Sequence, residues 1–592
     1  MSQTISLREI AHARSGEKGR HANIAVIAYH ESDYDLLKEQ VTEAAVARLY
    51  GAVALGGVER FEAPAIGALN FVLHDALDGG RSRTIAFEES GKALSSLILS
   101  LPMTVADDYV GRAAQVALNG FERGGIGAAE AAGQATDRHA KDAVRLGSAT
   151  GWSRDRYEPA LALIERGDVD YLGFDSMSEI TMSAAQVARG ADPTLPGYDP
   201  SLETRLAPLL KPAMDRGVRL VTNQGWLDPV AAAQRIVELA ESQGIKGLKV
   251  AAVTGGQLTD QIADMGLNFV ETGEPVAARR DQLLSAETYL GARTIARALD
   301  EGAHIVITTR IADACVYLGP LMHEFNWAAD DVHAMARGMV IGHLMECGCQ
   351  VSGGYFADPG YKNVPDLHNV GNPIAEVSAN RTLITKLANT GGLVSPATCK
   401  EQLLYEVQDP ANYLCPDVVA DFTRVRFEQA GPDRVEVFVD QAGKPAPPTL
   451  KALIGLREGF MTEEMVLFAG PGAAGRAALT EQVLRKRFEM IQLEAEQIRF
   501  DHLGVNSVHR EASPAGPDDP YEVILRIAVK TRTREQAEKL RLEIDPMAVN
   551  GVAGTGKWAT SSQGSRLQAI VGLDSALVPR EAATETLHWF SS

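Results

Sequence analysis

Between residues 144 and 310 the chain alternates short apolar runs with amphipathic stretches of helical period, and this alternation narrows its fold more than any other feature. The runs are VRLGSA (144–149), VDYLGFD (169–175), VRLVTN (218–223), GLKVAAVTG (247–255) and AHIVITTR (303–310). Runs of this kind predict strands buried on both faces. The stretches between them include EPALALIERG (158–167), which opens near Arg156 and closes on Gly167, and PVAAAQRIVELAESQG (229–244), with Pro first and Gly last. Pro suits the first helical turn and Gly the stop, so both predict helices. Repeated strand–helix units predict an α/β fold with a doubly wound parallel sheet.

The flanking segments read differently. Residues 1–103 predict a small α+β unit: a strand NIAVIAY (23–29), a helix from Asp33 to Tyr50, a strand at 60–63, NFVLH (70–74), and strands on either side of Gly79-Gly80. Residues 104–143 are rich in Ala, Gly and charge, which predicts a linker. After Tyr405, RVRFEQAGPDRVEVFVD (424–440) alternates with period two around a turn and predicts a hairpin; a helix through EQVLRKRFEMIQLEAEQ and a strand EVILRIAVKT (522–531) follow. The expected units are thus 1–103, a linker 104–143, an α/β domain 144–405 and an α+β part 406–592.

Length and composition restrict the function classes. A chain of 592 residues exceeds the usual size of one core and predicts several domains. Its 57 basic against 77 acidic residues give a formal charge of -20, which disfavours binding to nucleic-acid phosphates. The opening residues lack the apolar core of a secretory signal and no run of membrane-spanning length occurs, so a cytoplasmic protein with no membrane partner is expected. Five cysteines (315, 347, 349, 399 and 415) fit a reducing compartment, and the Cys347/Cys349 spacing is too short for a zinc knuckle. No metal and no cofactor is expected, coenzyme A entering only as part of a substrate.

In an open parallel sheet, ligands bind beyond the carboxyl ends of the strands. Four of the five runs deliver polar groups there: Asp175 with Glu179; Asn223 before Gly225 and Trp226; Thr254, Gly255 and Gly256; and Arg310 with Asp313. Asp175 and Asn223 could equally cap the helices that follow, and Arg310 with Asp313 could be a local structural pair. Gly255 and Gly256 would let backbone N–H groups approach an oxygen. In GHLMECGCQVSGGYF (342–356), His343 and Glu346 stand three apart and would share a helix face as an acid/base pair, ahead of Cys347, Gly353 and Gly354. A buried helix end packed through small residues is the competing reading. GVAGTGKW (551–558) has P-loop spacing, but Trp558 stands where Ser or Thr must hold magnesium, and Pro546 interrupts the strand such a loop requires. Lys557 is kept only as a possible contact to a phosphate or carboxylate. Neither a G-x-S-x-G elbow nor an H-E-x-x-H helix occurs.

Three long segments carry a family resemblance: ITTRIADACVYLGPLMHEFNW (307–327), GHLMECGCQVSGGYFADPGYKNVP (342–365) and TGGLVSPATCKEQLLYEVQDPANYLCPDVVADF (390–422). With RLGSATGW and TNQGW they resemble the acyclic terpene utilisation (AtuA) family. HARSGEKGRHANIAVIA (12–28) and RFEAPAIGALNFVLHDALDGG (60–80) are similar to the ferredoxin-fold domain that accompanies it, usually behind and here in front. The resemblance implies a catabolic role on branched or terpenoid acyl-CoA compounds and related carboxylic acids. It also implies that Arg14, Ser15, Lys18, Asn23 and Asn70 form a polar or anion-contacting surface facing the large domain, against a reading of them as turn and capping residues. The expected activity is a lyase or hydratase of a homo-oligomer acting on a small molecule. Asp175, Glu179, His343 and Glu346 would serve as acid/base groups, with Arg310 and residues 254–256 holding the acyl oxygen. The alternatives are a hydrolase or transferase using Cys347 or Cys349, and a non-catalytic assembly subunit of a terpenoid acyl-CoA pathway.

Overall fold

A computed structural model describes residues 2–111, 143–516, 520–557 and 567–592. Most of the expected linker, and Trp558 of the Gly-rich loop, lie outside the described residues.

The five apolar runs form strands Ala143–Thr150, Tyr171–Phe174, Arg219–Thr222, Lys249–Thr254 and Ile305–Thr308. They lie side by side and parallel, with Ile305–Thr308 inserted between Arg219–Thr222 and Lys249–Thr254. Neighbouring residues on a strand face opposite sides of the sheet. Accordingly Leu172, Val250, Ala252, Ile305 and Ile307 join a core with helices Glu158–Arg166, Leu202–Arg216 and Pro229–Ser242. Tyr171, Ala251, Val253 and Val306 join a second core with helices Arg293–Asp300, Cys315–Phe325 and Val332–Glu346. The helix Pro229–Ser242 starts as its sequence requires: the Asp228 carboxylate accepts from the Ala231 N–H at 3.0 Å, and Pro229 fills the first turn.

The expectation of a parallel sheet describes only its centre. Among the described residues the sheet has ten strands, and both flanks are antiparallel. Pro373–Ser378, Thr382–Lys386, Arg434–Val439 and Val425–Gly431 extend one edge, and Thr586–Ser591 pairs with Lys249–Thr254 on the other. The hairpin read at 424–440 therefore belongs to the same sheet as the α/β units, and so does the last strand of the chain. A second sheet is built on the 21-residue strand Thr449–Ala469, which pairs with Leu283–Thr288, Glu522–Thr531 and Gln568–Pro579. Helices Ala473–Met490 and Arg534–Ile544 pack on it through Ala477, Leu484, Leu540 and Ile544.

In the small domain, Ala11–Lys18, His21–Ala28, Ala68–Leu73 and Val58–Ala63 form a four-stranded antiparallel sheet in that order. The helix expected from Asp33 to Tyr50 is two, Tyr34–Gln40 and Glu43–Tyr50, because Thr42 caps the second by accepting from Ala45 N–H at 3.2 Å. The strands expected beside Gly79-Gly80 are absent from the described residues there. Asp75, Asp78, Gly79 and Gly80 all have positive φ (54°, 47°, 88° and 105°), which extended pairing does not allow. Residues 547–550 ahead of the Gly-rich loop form a helix, so that loop has no preceding strand of the P-loop kind.

The two domains are joined by buried polar contacts. His12 Nδ1 lies 2.6 Å from Glu401 Oε1, and Lys362 donates to the same oxygen at 2.8 Å. Asn23 donates to the Leu404 carbonyl at 2.8 Å and accepts from Glu406 N–H at 3.0 Å, while Asn70 donates to the carbonyls of Val407 and Gln408. Arg14 donates to Gln350 at 2.6 Å and its guanidinium lies over the Tyr355 and Tyr405 rings. Arg14, Asn23 and Asn70 thus face the large domain, whereas Ser15 bonds within its own domain, to Lys92 O and Ser95 N.

Candidate functional site

Asp175 directly follows Tyr171–Phe174, and Asn223 directly follows the neighbouring strand Arg219–Thr222. Neither caps a helix: Ser178 and Asp228 take that role in the helices that follow. Instead Asn223 is fully buried, accepts from Ser176 N–H at 2.7 Å and donates to Asp175 Oδ1 at 2.7 Å. Both ends of its amide are used, and the donated bond orients Asp175.

Arg310 follows Ile305–Thr308 and is 3% exposed. It donates to Asp313 at 2.7 Å and to the Met177 carbonyl, and its guanidinium lies 4.1 Å from the centre of the Tyr289 ring. Tyr289 donates to Glu179 at 2.8 Å, and Lys451 donates to the same oxygen at 2.8 Å. The second sheet makes this meeting possible. Thr288 pairs with Ala452, and Tyr289 N–H bonds the Lys451 carbonyl, which brings both side chains to Glu179. Glu179 and Lys451 are surrounded by protein yet keep 31% and 36% of their side-chain surface open to solvent, and Asp313 beside them keeps 33%. Groups that are enclosed and still wet line a cavity.

Helix Val332–Glu346 carries the remaining acid to this cavity. His343 and Glu346 do share a helix face, with Nδ1 2.9 Å from Oε1, though without hydrogen-bond alignment. His343 Nε2 donates to the Leu403 carbonyl at 3.1 Å, and the ring packs against Tyr413 and Phe422. Burial and the nearby Lys18 ammonium push its pKa down to about 4, so it is neutral at physiological pH. The His343 ring is thus packed and neutral beside Glu346.

The carboxyls divide into two kinds. Burial and the like charges of Asp313 and Glu346 raise the Asp175 carboxyl well above the usual range. Burial, followed by the Asp313 charge, does the same to Glu346. For Glu179 burial works in that direction too, but the Lys451 charge and the hydrogen bonds from Lys451 and Tyr289 outweigh it and hold the group at about 2. Two carboxyls raised by burial and like charge and one fixed carboxylate therefore stand in the same region.

Several sequence candidates lie elsewhere or serve packing. Thr254 Oγ1 is 3.0 Å from His588 Nε2. A Cβ on Gly255 would stand 2.0 Å from the Thr584 carbonyl, and one on Gly256 would stand 2.9 Å from that of Thr288. The two glycines thus allow the close approach of the C-terminal segment at Gly255 and of the end of strand Leu283–Thr288 at Gly256. Gly353 and Gly354 likewise allow the approach of Leu393 and Cys349. Lys557 ends a two-residue strand paired with Val466, and its side chain lies outside the described residues.

Cys347 is raised well above a normal thiol by burial and by the Glu346 and Glu406 charges, and burial lifts Cys349 to about 11. An uncharged thiol is a poor nucleophile. Iodoacetamide at neutral pH is expected to alkylate Cys347 at least about tenfold more slowly than free cysteine, following the lost thiolate fraction. Peptide mapping by mass spectrometry checks this. Rapid, substrate-protectable alkylation would restore the cysteine mechanism. Among the described residues no group of three or more His, Cys, Asp or Glu side chains has the arrangement of a metal site.

Sequence reasoning missed Tyr289, Lys451, Glu17, Glu406 and Glu287. Glu287 is 1% exposed beside Thr309, and burial raises it to about 8. Tyr289 and Lys451 had no signal in the sequence, since their position depends on pairing between segments more than 150 residues apart.

An α/β protein with a carboxyl-lined cavity beyond the ends of its parallel strands is the class that fold and site define. Residues 144–589 match the model of the acyclic terpene utilisation family protein AtuA, and residues 5–104 match the AtuA ferredoxin-like domain. The chain belongs to this acyclic terpene utilisation family. No curated protein and no solved structure matches it. No helix among the described residues is long and apolar enough to cross a membrane.

Proposed function

We propose that the chain is a catabolic lyase or hydratase that moves a proton beside the carbonyl of a small branched or terpenoid carboxylic acid or its acyl thioester. The observation that carries this reading is that Asp175, at a strand end, and Glu346, at the end of helix Val332–Glu346, are both raised by burial and by the charge of Asp313 between them in one cluster with Arg310. Carboxyls that repel each other share protons, so one can accept while the other donates. The ionised member would take the proton next to the carbonyl; the protonated member would donate to the developing oxyanion or to a departing hydroxyl. Asn223 would fix Asp175, and Arg310 would hold Asp313 and Tyr289 in place.

The test is deuterium wash-in from D2O into 3-methylbut-2-enoate and its coenzyme A thioester, followed by NMR. Enzyme-dependent exchange at the carbon beside or conjugated with the carbonyl is expected. Absence of exchange and of water addition in both compounds, together with stoichiometric capture of other proteins, would favour the assembly-subunit reading instead.

A further inference from the structure

The helix Glu179–Ala191 is seated along one face of the second sheet. Gln186 donates to Ser285, and Gly455, the residue paired with Ser285, leaves room for the Gln186 amide. On the same face Leu453 joins Met182 in a buried cluster, and Lys451 stands two residues further along the strand. Glu179, the first residue of the helix, therefore meets Lys451 and Tyr289 in a fixed geometry. Both donors bind the same oxygen, Oε1, at 2.8 Å each. The second oxygen, Oε2, receives no hydrogen bond from a described residue, and Lys451 donates to Glu179 alone, so its ammonium keeps N–H donors to spare. Both side chains are enclosed by protein and partly open to the cavity. Arg310 Nε, in the guanidinium over the Tyr289 ring, is buried without a hydrogen-bond partner among the described residues. An unmet acceptor beside unmet donors calls for a ligand that brings both.

The charges around this pair decide what kind of ligand it takes. Lys451 balances Glu179, Arg310 balances Asp313 at 2.7 Å, and Arg81 lies 3.3 Å from Glu17, while Glu271 accepts from Ser575 N–H at 2.8 Å. Asp175 is held by Asn223 and Glu346 stands against His343, and neither forms an ion pair with a lysine or arginine among the described residues. The cations are thus matched and carboxyls are in excess, which disfavours a further anion. A hydroxyl adds no charge, gives one proton and accepts on its oxygen.

We propose that the Glu179–Lys451 pair binds a hydroxyl group of the substrate, Glu179 Oε2 accepting its proton and Lys451 donating to its oxygen, so that the protein selects hydroxylated acyl compounds over their deoxy counterparts. This rests on the acid/base reading for the acyl compound and goes beyond it in naming the group recognised and the residues that recognise it. Water addition to a 3-methylbut-2-enoyl group places such a hydroxyl on carbon 3.

The experiment titrates the full-length chain by calorimetry with three uncharged probes, the N-acetylcysteamine thioesters of 3-hydroxy-3-methylbutanoate, 3-methylbutanoate and 3-methoxy-3-methylbutanoate. The hydroxy compound is expected to bind at least about tenfold more tightly than the deoxy one, the effect of a hydrogen bond to a charged group. The methoxy compound keeps the oxygen but has no proton to give, and is expected to bind no better than the deoxy one. In Glu179→Gln, Tyr289 and Lys451 hold the amide oxygen and turn the NH2 toward the ligand, so the preference for the hydroxy compound is expected to fall to about twofold or less. That preference is a ratio within one variant, which general loosening of the fold does not move. Equal binding of the hydroxy and deoxy compounds, no binding of the hydroxy compound, or an undiminished preference in Glu179→Gln overturns the proposal. Deuterium exchange separates the two readings: a hydroxyl preference without exchange leaves this site standing and removes the lyase or hydratase reading, and exchange without the preference does the reverse.

Discussion

Asp175→Asn and Glu346→Gln are each expected to lower proton exchange into the substrate by about 10²- to 10⁴-fold, the usual contribution of a positioned acid or base, while making the protein more stable near neutral pH. The two effects have one cause. Each carboxyl is buried among like charges, which raises its pKa in the folded state above its unfolded value. Its contribution to stability is fully present below the unfolded pKa and is lost as pH rises through the folded one, because the native state must keep a proton that the unfolded chain has released. An amide has the shape of the protonated acid and no proton to lose. The melting temperature of either variant should therefore exceed that of the parent by a margin that grows from acid toward neutral pH. A variant that loses exchange but melts lower at neutral pH would show that the carboxyl is structural.

Glu401→Ala should destabilise the protein by about 3–5 kcal/mol, the cost of removing one partner from a buried ionic contact. Its carboxylate meets His12 across the domain boundary at 2.6 Å and Lys362 of its own domain at 2.8 Å, where His12 is 2% and Lys362 8% exposed. Burial opposes its charge, but Lys362 and His12 outweigh burial and depress its pKa. Its stabilising contribution is thus present above the unfolded carboxylate pKa and fades as pH falls through the folded value. Urea unfolding at neutral pH measures the loss, and a change below about 1 kcal/mol, the level of an exposed pair, would refute the assignment.

Much of the fold was legible because it is written in local periodicity. Leu172 and Phe174 belong to one face of the sheet and Tyr171 to the other, and each strand read from residues 144–310 formed within a few positions of its apolar run. The residues that end those strands were legible for the same reason, and Asp175, Arg310 and Asp313 reach the cavity. The strand Ala11–Lys18 was not visible, since HARSGEK is polar and looks like a loop. Its polar side chains are buried only because the large domain supplies partners for His12 and Arg14.

The sequence by itself determined the parallel strands, their polar ends, and the helix face shared by His343 and Glu346, all properties of residues a few positions apart. Only the tertiary structure decided that the sheet continues with antiparallel edges and that Tyr289 and Lys451 fix Glu179. It also decided that Gly255 and Gly256 serve close packing, and that a hairpin more than 300 residues away in sequence lays Gly16 against Tyr405 and Glu406. Hydrophobic period sets which face a residue takes, whereas a site's charge balance depends on which distant segments pair, and no local pattern encodes that.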